Sequence, residues 1–215
     1  MKYTLAPLGD RGITVTLGDG INTELSNSVV QRANAVSRAS IRGVTDVVPS
    51  YASFGVFYNP LEVSFADLGR RLETALIDAE SGEDERVDGA LMVIPVAYDG
   101  EDMEDVCRRT RLTRPEVIEI HSGREYHVLV VGFVPGFAYL GPLDPRLIVP
   151  RRESPRKRVP AGSVAIAEAQ TGIYPSETPG GWNIIGTTTQ RMFDVASQNP
   201  ALLRVGDIVK FEAAT

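Results

Sequence analysis

Beyond Phe133 the helical spacing of apolar residues disappears. The remaining chain is a series of short apolar runs, SVAIAE, WNIIGTT, RMFDV and DIVKFEA, divided by glycine and proline; helical spacing returns only at SQNPALLRV. Runs this short cannot bury a helical face, but they suit short strands joined by tight turns. This half of the chain is therefore expected to form a β-barrel or sandwich.

The first half has a different rhythm. KYTLAPL and ITVTL read as strands on either side of the turn signal Gly9-Asp10-Arg11-Gly12. Residues 22–39 place Leu25, Val29, Ala33 and Val36 on one helical face. Pro49 splits VTDVVPSYASFGVFYNP into two strands, and Ser64 with Asp67 opens a second helix whose expected buried stripe is Phe65, Leu68, Leu72 and Leu76. Two amphipathic helices among strands point to helices on one face of a small sheet, an α+β arrangement. The charged stretch ESGEDERVDG, residues 80–89, carries no apolar period and reads as a linker. After it come a strand in ALMVIPVAY, short helices over residues 101–111 and from Thr113, whose Glu116 has capping-box spacing, and a buried strand in YHVLVVGF. The fold class expected is an α+β N-terminal domain over residues 1–85, then a mainly β domain over residues 86–215.

Composition narrows the function classes. The net charge of -6 disfavours nucleic acid and anionic membranes as partners. The longest mostly apolar run, residues 128–141, is shorter than the ~20 residues a membrane span needs, and Pro135 interrupts it. A single cysteine, Cys107, allows no internal disulfide and argues against a cysteine-based metal site, so no metal is expected. A soluble cytoplasmic protein is the expectation.

Three segments carry chemistry. GFVPGFAYLG, residues 132–141, packs glycines, a proline and three aromatics into one loop; it is either a pocket wall or a compact loop held by its own rings. PRRESPRKRVPAG, residues 150–162, holds Arg151, Arg152, Arg156, Lys157 and Arg158 against one Glu153. Guanidinium groups bind carboxylate and phosphate bidentately, and the prolines keep these charges on an extended loop; the bland alternative is a solvated loop. QTGIYPSETPGGWNIIGTT, residues 170–188, places the only tryptophan, Trp182, among glycines and prolines, with Gln170, Tyr174, Glu177 and Asn183 nearby. A stiff polar loop bearing one flat ring suits a small-molecule site.

The familiar catalytic sets are absent: no phosphate-binding P-loop, no dinucleotide fingerprint and no nucleophile elbow. The two histidines, His121 and His127, do not have the spacing of a helical metal pair. His127, in an apolar strand, reads as structural; His121, beside a helix end, is a candidate acid or base, or a C-terminal cap.

Residues 121–188 as a block, together with DVVPSYASFGVFYNP at residues 46–60, resemble the allophanate hydrolase subunit 1 family, also known as the B-type 5-oxoprolinase subunits or the kinase-A inhibitor KipI. The resemblance implies a cyclophilin-like β-barrel for the second domain. It implies a subunit of an ATP-dependent 5-oxoprolinase, converting 5-oxoproline, ATP and water to glutamate. The subunit would be active only with a homologous larger carboxyltransferase-type partner (KipA, or the C-type 5-oxoprolinase subunit) and a third subunit of the A type. ATP with Mg would enter as a co-substrate of the complex, with no tightly bound cofactor. The alternatives are a regulatory protein that docks on a sensor histidine kinase, or a urea-carboxylase or allophanate-pathway subunit. In the 5-oxoprolinase reading, Arg151, Arg152 and Arg158 are expected to meet anionic groups. Gln170 and Tyr174 would hydrogen-bond the lactam, Trp182 and Phe137 would give the ring flat walls, Glu177 would steer a proton, and His121 would be the reserve acid or base. The chain departs from the family pattern at Glu168, where glycine is usual, and around Thr187 and Thr189. A carboxylate at residue 168 is expected to narrow or recharge the groove.

Overall fold

The structure is a computed structural model and describes residues 2–81 and 89–214. The chain divides between residues 88 and 89 into two compact units. The first contains β1 (Thr4–Pro7), β2 (Gly12–Thr16), α1 (Thr23–Arg38), β3 (Val44–Pro49), β4 (Ser53–Tyr58) and α2 (Phe65–Ser81). Its sheet is antiparallel in the order β1-β2-β4-β3. Helix α1 starts where the Asn22 side chain accepts a hydrogen bond from the Leu25 amide at 2.8 Å, satisfying a donor the helix itself cannot. At α2 the Ser64 hydroxyl accepts from the Asp67 amide. The apolar stripe of α1 (Leu25, Val29, Ala33, Val36) and that of α2 (Leu68, Leu72, Leu76) bury against Ile13, Val15, Phe54, Val56 and Tyr58 of the strands. Phe65 leaves the expected stripe and is 41% exposed. As the first residue of α2 it lies a turn ahead of Leu68, beyond the reach of this core. The expected linker over residues 80–89 meets α2 continuing through Ser81, and residues 82–88 lie outside the described residues.

The second unit runs β5 (Leu91–Val96), α3 (Met103–Thr110), α4 (Arg114–Ser122), β6 (Glu125–Val131), β7 (Ala138–Gly141), a 3-10 turn (Pro145–Leu147), β8 (Arg156–Val159), β9 (Ser163–Ala167), β10 (Gln170–Ile173), β11 (Thr178–Gly180), β12 (Asn183–Thr187) and β13 (Ile208–Ala213). Seven strands form one sheet in the order β12-β9-β10-β7-β6-β13-β5. The pair β13–β5 is parallel and the others are antiparallel. The sheet curls until its two edges touch: Ala97, just past β5, exchanges backbone hydrogen bonds of 2.8 and 2.7 Å with Thr187 at the end of β12. A closed curl removes most of the open edge that a sheet must otherwise protect. All seven strands send residues into one apolar cluster, among them Ile94, Tyr126, Leu140, Ile166, Ile173, Ile185 and Phe211, which also receives Met103, Val106 and Val117 from α3 and α4. Among the described residues, strands β8 and β11 pair only with each other.

Two strand and helix expectations fail here. RMFDV forms no strand; only Phe193 makes an isolated bridge, to Ala201. SQNPALLRV forms no helix but a run of turns and bends, with Asp194 accepting from the Ala196 amide. Pro200 interrupts the helical spacing that the sequence suggested, since its ring blocks a continuous helix.

Candidate functional site

Side chains alternate along a strand, so the strands that line the curled core also present a second face. From that face Phe137, Ala165, Ala167, Tyr174, Trp182 and Ile184, with Val159 of β8, form a separate buried cluster. Its rings meet edge to face. The Trp182 ring lies 5.6 Å from Phe137 and 5.7 Å from Tyr139; Phe137 lies 5.2 Å from Tyr174 and 4.8 Å from Tyr139. Such pairs set a positive ring edge against a negative face. Glycine at residue 172 makes room for them. A Cβ there would stand 2.9 Å from the Ala138 carbonyl oxygen, 3.1 Å from the Phe137 ring and 3.3 Å from the Trp182 ring. The exposed Phe133 stands edge-on to Phe137 at the rim of the cluster, with a left-handed φ of 71°.

The arginine-rich loop is tied to this layer at several points. Asn183 Nδ2 donates to the carbonyl oxygens of Pro150, at 3.0 Å, and Ile166, at 3.2 Å. The Arg152 amide donates to the Gly181 carbonyl at 2.8 Å. The centre of the arrangement is Asp102, which is 3% exposed. One of its oxygens, Oδ1, accepts from Arg152 Nη1 at 2.6 Å and from Arg156 Nη2 at 2.7 Å; the other, Oδ2, accepts from the Ile184 amide at 2.7 Å. Arg156 also pairs with Glu101 at 2.7 Å. Gly100 lets this stretch lie on β12, because a Cβ there would stand 2.3 Å from the Ile184 carbonyl oxygen. Among the described residues, Arg152 Nε and Arg156 Nη1 are buried with no hydrogen-bond partner.

All three glycine- and proline-rich segments border one hollow of about 720 Å³. Pro135 comes from the first, Ala161 and Gly162 from the second, and Pro175, Ser176 and Thr188 from the third; residues 189–193 complete the wall. The wall mixes hydroxyls (Ser176, Thr188, Thr189), an amide (Gln190), a guanidinium (Arg191) and apolar surface (Met192, Phe193). Arg191 is held by Asp194 at 3.0 Å and by the Phe193 carbonyl at 3.2 Å. A second hollow of about 530 Å³ lies beside α4 and the 3-10 turn. Its two arginines, Arg124 and Arg146, both pair with Asp144, and none of the three segments borders it.

The residues singled out from sequence fall into distinct environments. Trp182, Tyr174 and Phe137 are buried beneath the loops, in contact with one another. Gln170 is buried at the start of β10. Burial raises the hydroxyl pKa of Tyr139 and Tyr174, with the Arg151 charge acting in the opposite sense on both. Arg151 is exposed, Arg152 is engaged by Asp102, and Arg158 is exposed with Glu177 at 3.7 Å. Glu168 does not border either hollow described above; it is exposed in the turn between β9 and β10, at φ 51°. That left-handed conformation gives a physical reason for glycine at the position.

His121 lies in the other cluster, inside the curl, with no exposed surface. Its Nδ1 is 2.7 Å from the Tyr98 hydroxyl and its Nε2 is 2.9 Å from Thr171 Oγ1. Thr171 donates its own proton to the Ala165 carbonyl at 3.0 Å. Nε2–H therefore donates to Thr171, and in the neutral imidazole Nδ1 accepts from the Tyr98 hydroxyl. It stacks on Phe211 at 4.5 Å, and burial pushes its pKa down to about 3. Both ring nitrogens are occupied by protein groups, leaving neither facing solvent.

Asp102 and the wall at residues 190–193 were missed from sequence. Asp102 stood in a short acidic helix start, where a carboxylate is ordinarily a dipole partner in water. Nothing local marks it as the centre of contacts 50 to 82 residues away.

Comparison with known proteins places this geometry. Residues 3–203 match the family described as carboxyltransferase domain, subdomain C and D. The chain belongs to that family. It is 39% identical, over 98% of its own length and 92% of the relative's, to the B-type 5-oxoprolinase subunit of Bacillus subtilis (strain 168). The crystal structure of TTHA0988 superposes with a TM-score of 0.85 at 38% identity, covering 95% of this chain but 40% of that one. The urea carboxylase of Kluyveromyces lactis superposes with a TM-score of 0.76 at 20% identity, over 99% of this chain and 22% of that protein, which is a likeness of fold. The chain thus corresponds to a part of those longer proteins and to nearly the whole of its bacterial relative.

Proposed function

We propose that this chain is the B-type subunit of an ATP-dependent 5-oxoprolinase. The observation that carries the reading is its identity to a protein named as that 5-oxoprolinase subunit, along almost the full length of both chains. The hollow shared by the three irregular segments is where the substrate would be held. The second unit serves as a cyclophilin-like barrel that carries these loops. Opening the lactam requires a poor electrophile to be activated. The amide oxygen takes the γ-phosphoryl group of ATP, with Mg as its counter-ion, releasing ADP. One water then adds to the activated carbon and the ring C–N bond breaks. A second water hydrolyses the resulting acyl phosphate to glutamate and phosphate. This chain's part is to hold the carboxylated ring and balance developing charge. Arg151 and Arg158 on the exposed side of the loop, with Arg191 in the wall, suit the anionic groups. Glu177, next to Ser176 of the wall and paired with Arg158, would steer a proton. Phe137, Tyr174 and Trp182 form the support beneath the loops. Arg152 holds the loop, and His121 has no part in the chemistry. The site is completed by a larger carboxyltransferase-type partner and a third subunit, in the cytoplasm.

The test is reconstitution. The chain, its carboxyltransferase-type partner and the third subunit are purified separately and mixed, and ATP hydrolysis is followed across a panel of lactams and ureas. The expected result is ATP hydrolysis coupled to glutamate formation with 5-oxoproline when all three are present, and none from this chain alone. Absence of 5-oxoproline-dependent turnover by the full mixture overturns the reading.

A further inference from the structure

We infer that Asp102 is a positioning residue for the hollow, acting through the β8–β11 ribbon. The inference rests on the reading of the hollow as the substrate site. Among the described residues the ribbon pairs with no other strand, so its place over the outer face is set by its ends and by side-chain contacts. At one end Arg156, the first residue of β8, stands opposite Gly180, the last residue of β11. This is the end Asp102 grips. Its carboxylate holds Arg156 and Arg152 at 2.7 and 2.6 Å, and the Arg152 amide binds the carbonyl of Gly181 at 2.8 Å. At the other end β8 leads into Ala161 and Gly162, and β11 follows Pro175 and Ser176; these four residues form one side of the hollow. Three residues of strand span roughly 10 Å, so a shift at the gripped end is carried to the wall.

The electrostatics favour a single arrangement. The carboxylate is nearly fully buried and accepts three short hydrogen bonds, two of them from charged donors, the stronger class of such bonds. Its second oxygen fixes the same assembly to the start of β12 through the Ile184 amide. Asparagine in its place would turn an NH2 group toward either a guanidinium or that amide, setting donor against donor. Asp102 touches nothing in the hollow, so its influence there is indirect.

Trp182 gives a direct readout, since it is the only tryptophan and follows Gly181. Acrylamide quenching of its fluorescence is measured on the full chain, and steady-state kinetics on the reconstituted complex. With Asp102→Asn, quenching rises, and KM for 5-oxoproline increases about tenfold while kcat and the KM for ATP change much less. Glu101→Gln, which removes only the exposed ion pair to Arg156, leaves both readouts unchanged. If Asp102→Asn does not fold, Arg156→Met, which leaves the Asp102–Arg152 pair intact, shows the same signs at smaller size. Unchanged quenching overturns the inference. So does raised quenching with an unaltered KM, which would make Asp102 a structural tie alone. If the wild-type complex turns over no 5-oxoproline, the substrate reading fails, while the quenching result still decides whether Asp102 holds the ribbon.

Discussion

The two aromatic clusters of the second unit share a strand but not a character. On β10, Thr171 faces the curled core and bonds His121, while its neighbour Gly172 lies under Phe137 and Trp182 on the other face. Inside, Tyr98, His121, Thr171 and the Ala165 carbonyl form a closed relay in which each group already has its partner. Outside, the rings are buried by loops, and the loops are held by a carboxylate, two arginines and an asparagine. A polar group saturated by its own protein is a structural element. One whose neighbours are loops bordering a hollow can be shared with a ligand. His121, the reserve acid or base of the sequence reading, lies on the saturated side.

The comparison can be broken most directly by removing Trp182. Trp182→Ala takes a large ring out of the outer layer and should cost about 3–5 kcal/mol in denaturant unfolding. A much smaller loss would mean that the loops carry themselves. His121→Gln tests the inner relay. The folded-state pKa of His121, about 3, lies below that of the unfolded chain, so its contribution is present at neutral pH and is lost as pH falls from about 6.5 toward 3. Wild-type stability should therefore decline by about 1.4 kcal/mol per pH unit more steeply than that of the variant between pH 6 and 4, measured by unfolding across that range. Turnover by the reconstituted complex at neutral pH should be unaffected; loss of turnover in a folded variant would draw the inner cluster into the chemistry. Gly172→Ala probes the boundary between the two clusters. The new methyl must displace the Phe137 or Trp182 ring or the Ala138 carbonyl, at a cost of about 1–3 kcal/mol. The smallest change lies outside both clusters: Glu168→Gly should raise stability by about 0.5–1 kcal/mol, read as a higher midpoint in thermal melts, by removing a left-handed side-chain conformation.

The parts legible in sequence were those governed by local spacing. Leu25, Val29, Ala33 and Val36 face the core of the first unit because a helix brings every third and fourth residue to one side. Ser64 with Asp67 and the Thr113–Glu116 box cap their helices because a short side chain reaches amides only a turn away. The misreadings arise where spacing was consistent with an element but nothing paired with it: Phe65 before its core begins, RMFDV without a partner strand, and SQNPALLRV broken by Pro200.

Local order and composition thus determined the helices, the change to short strands after Phe133 and the three segments rich in glycine, proline and arginine. Tertiary structure alone decided which of those groups meet. Asp102 gains its role from arginines some fifty residues away, and His121 loses one to a tyrosine and a threonine that the chain brings from opposite directions. The physical reason is that burial and partnership, which set what a polar group can do, depend on contacts between residues far apart in the chain, whereas periodicity reports only on neighbours.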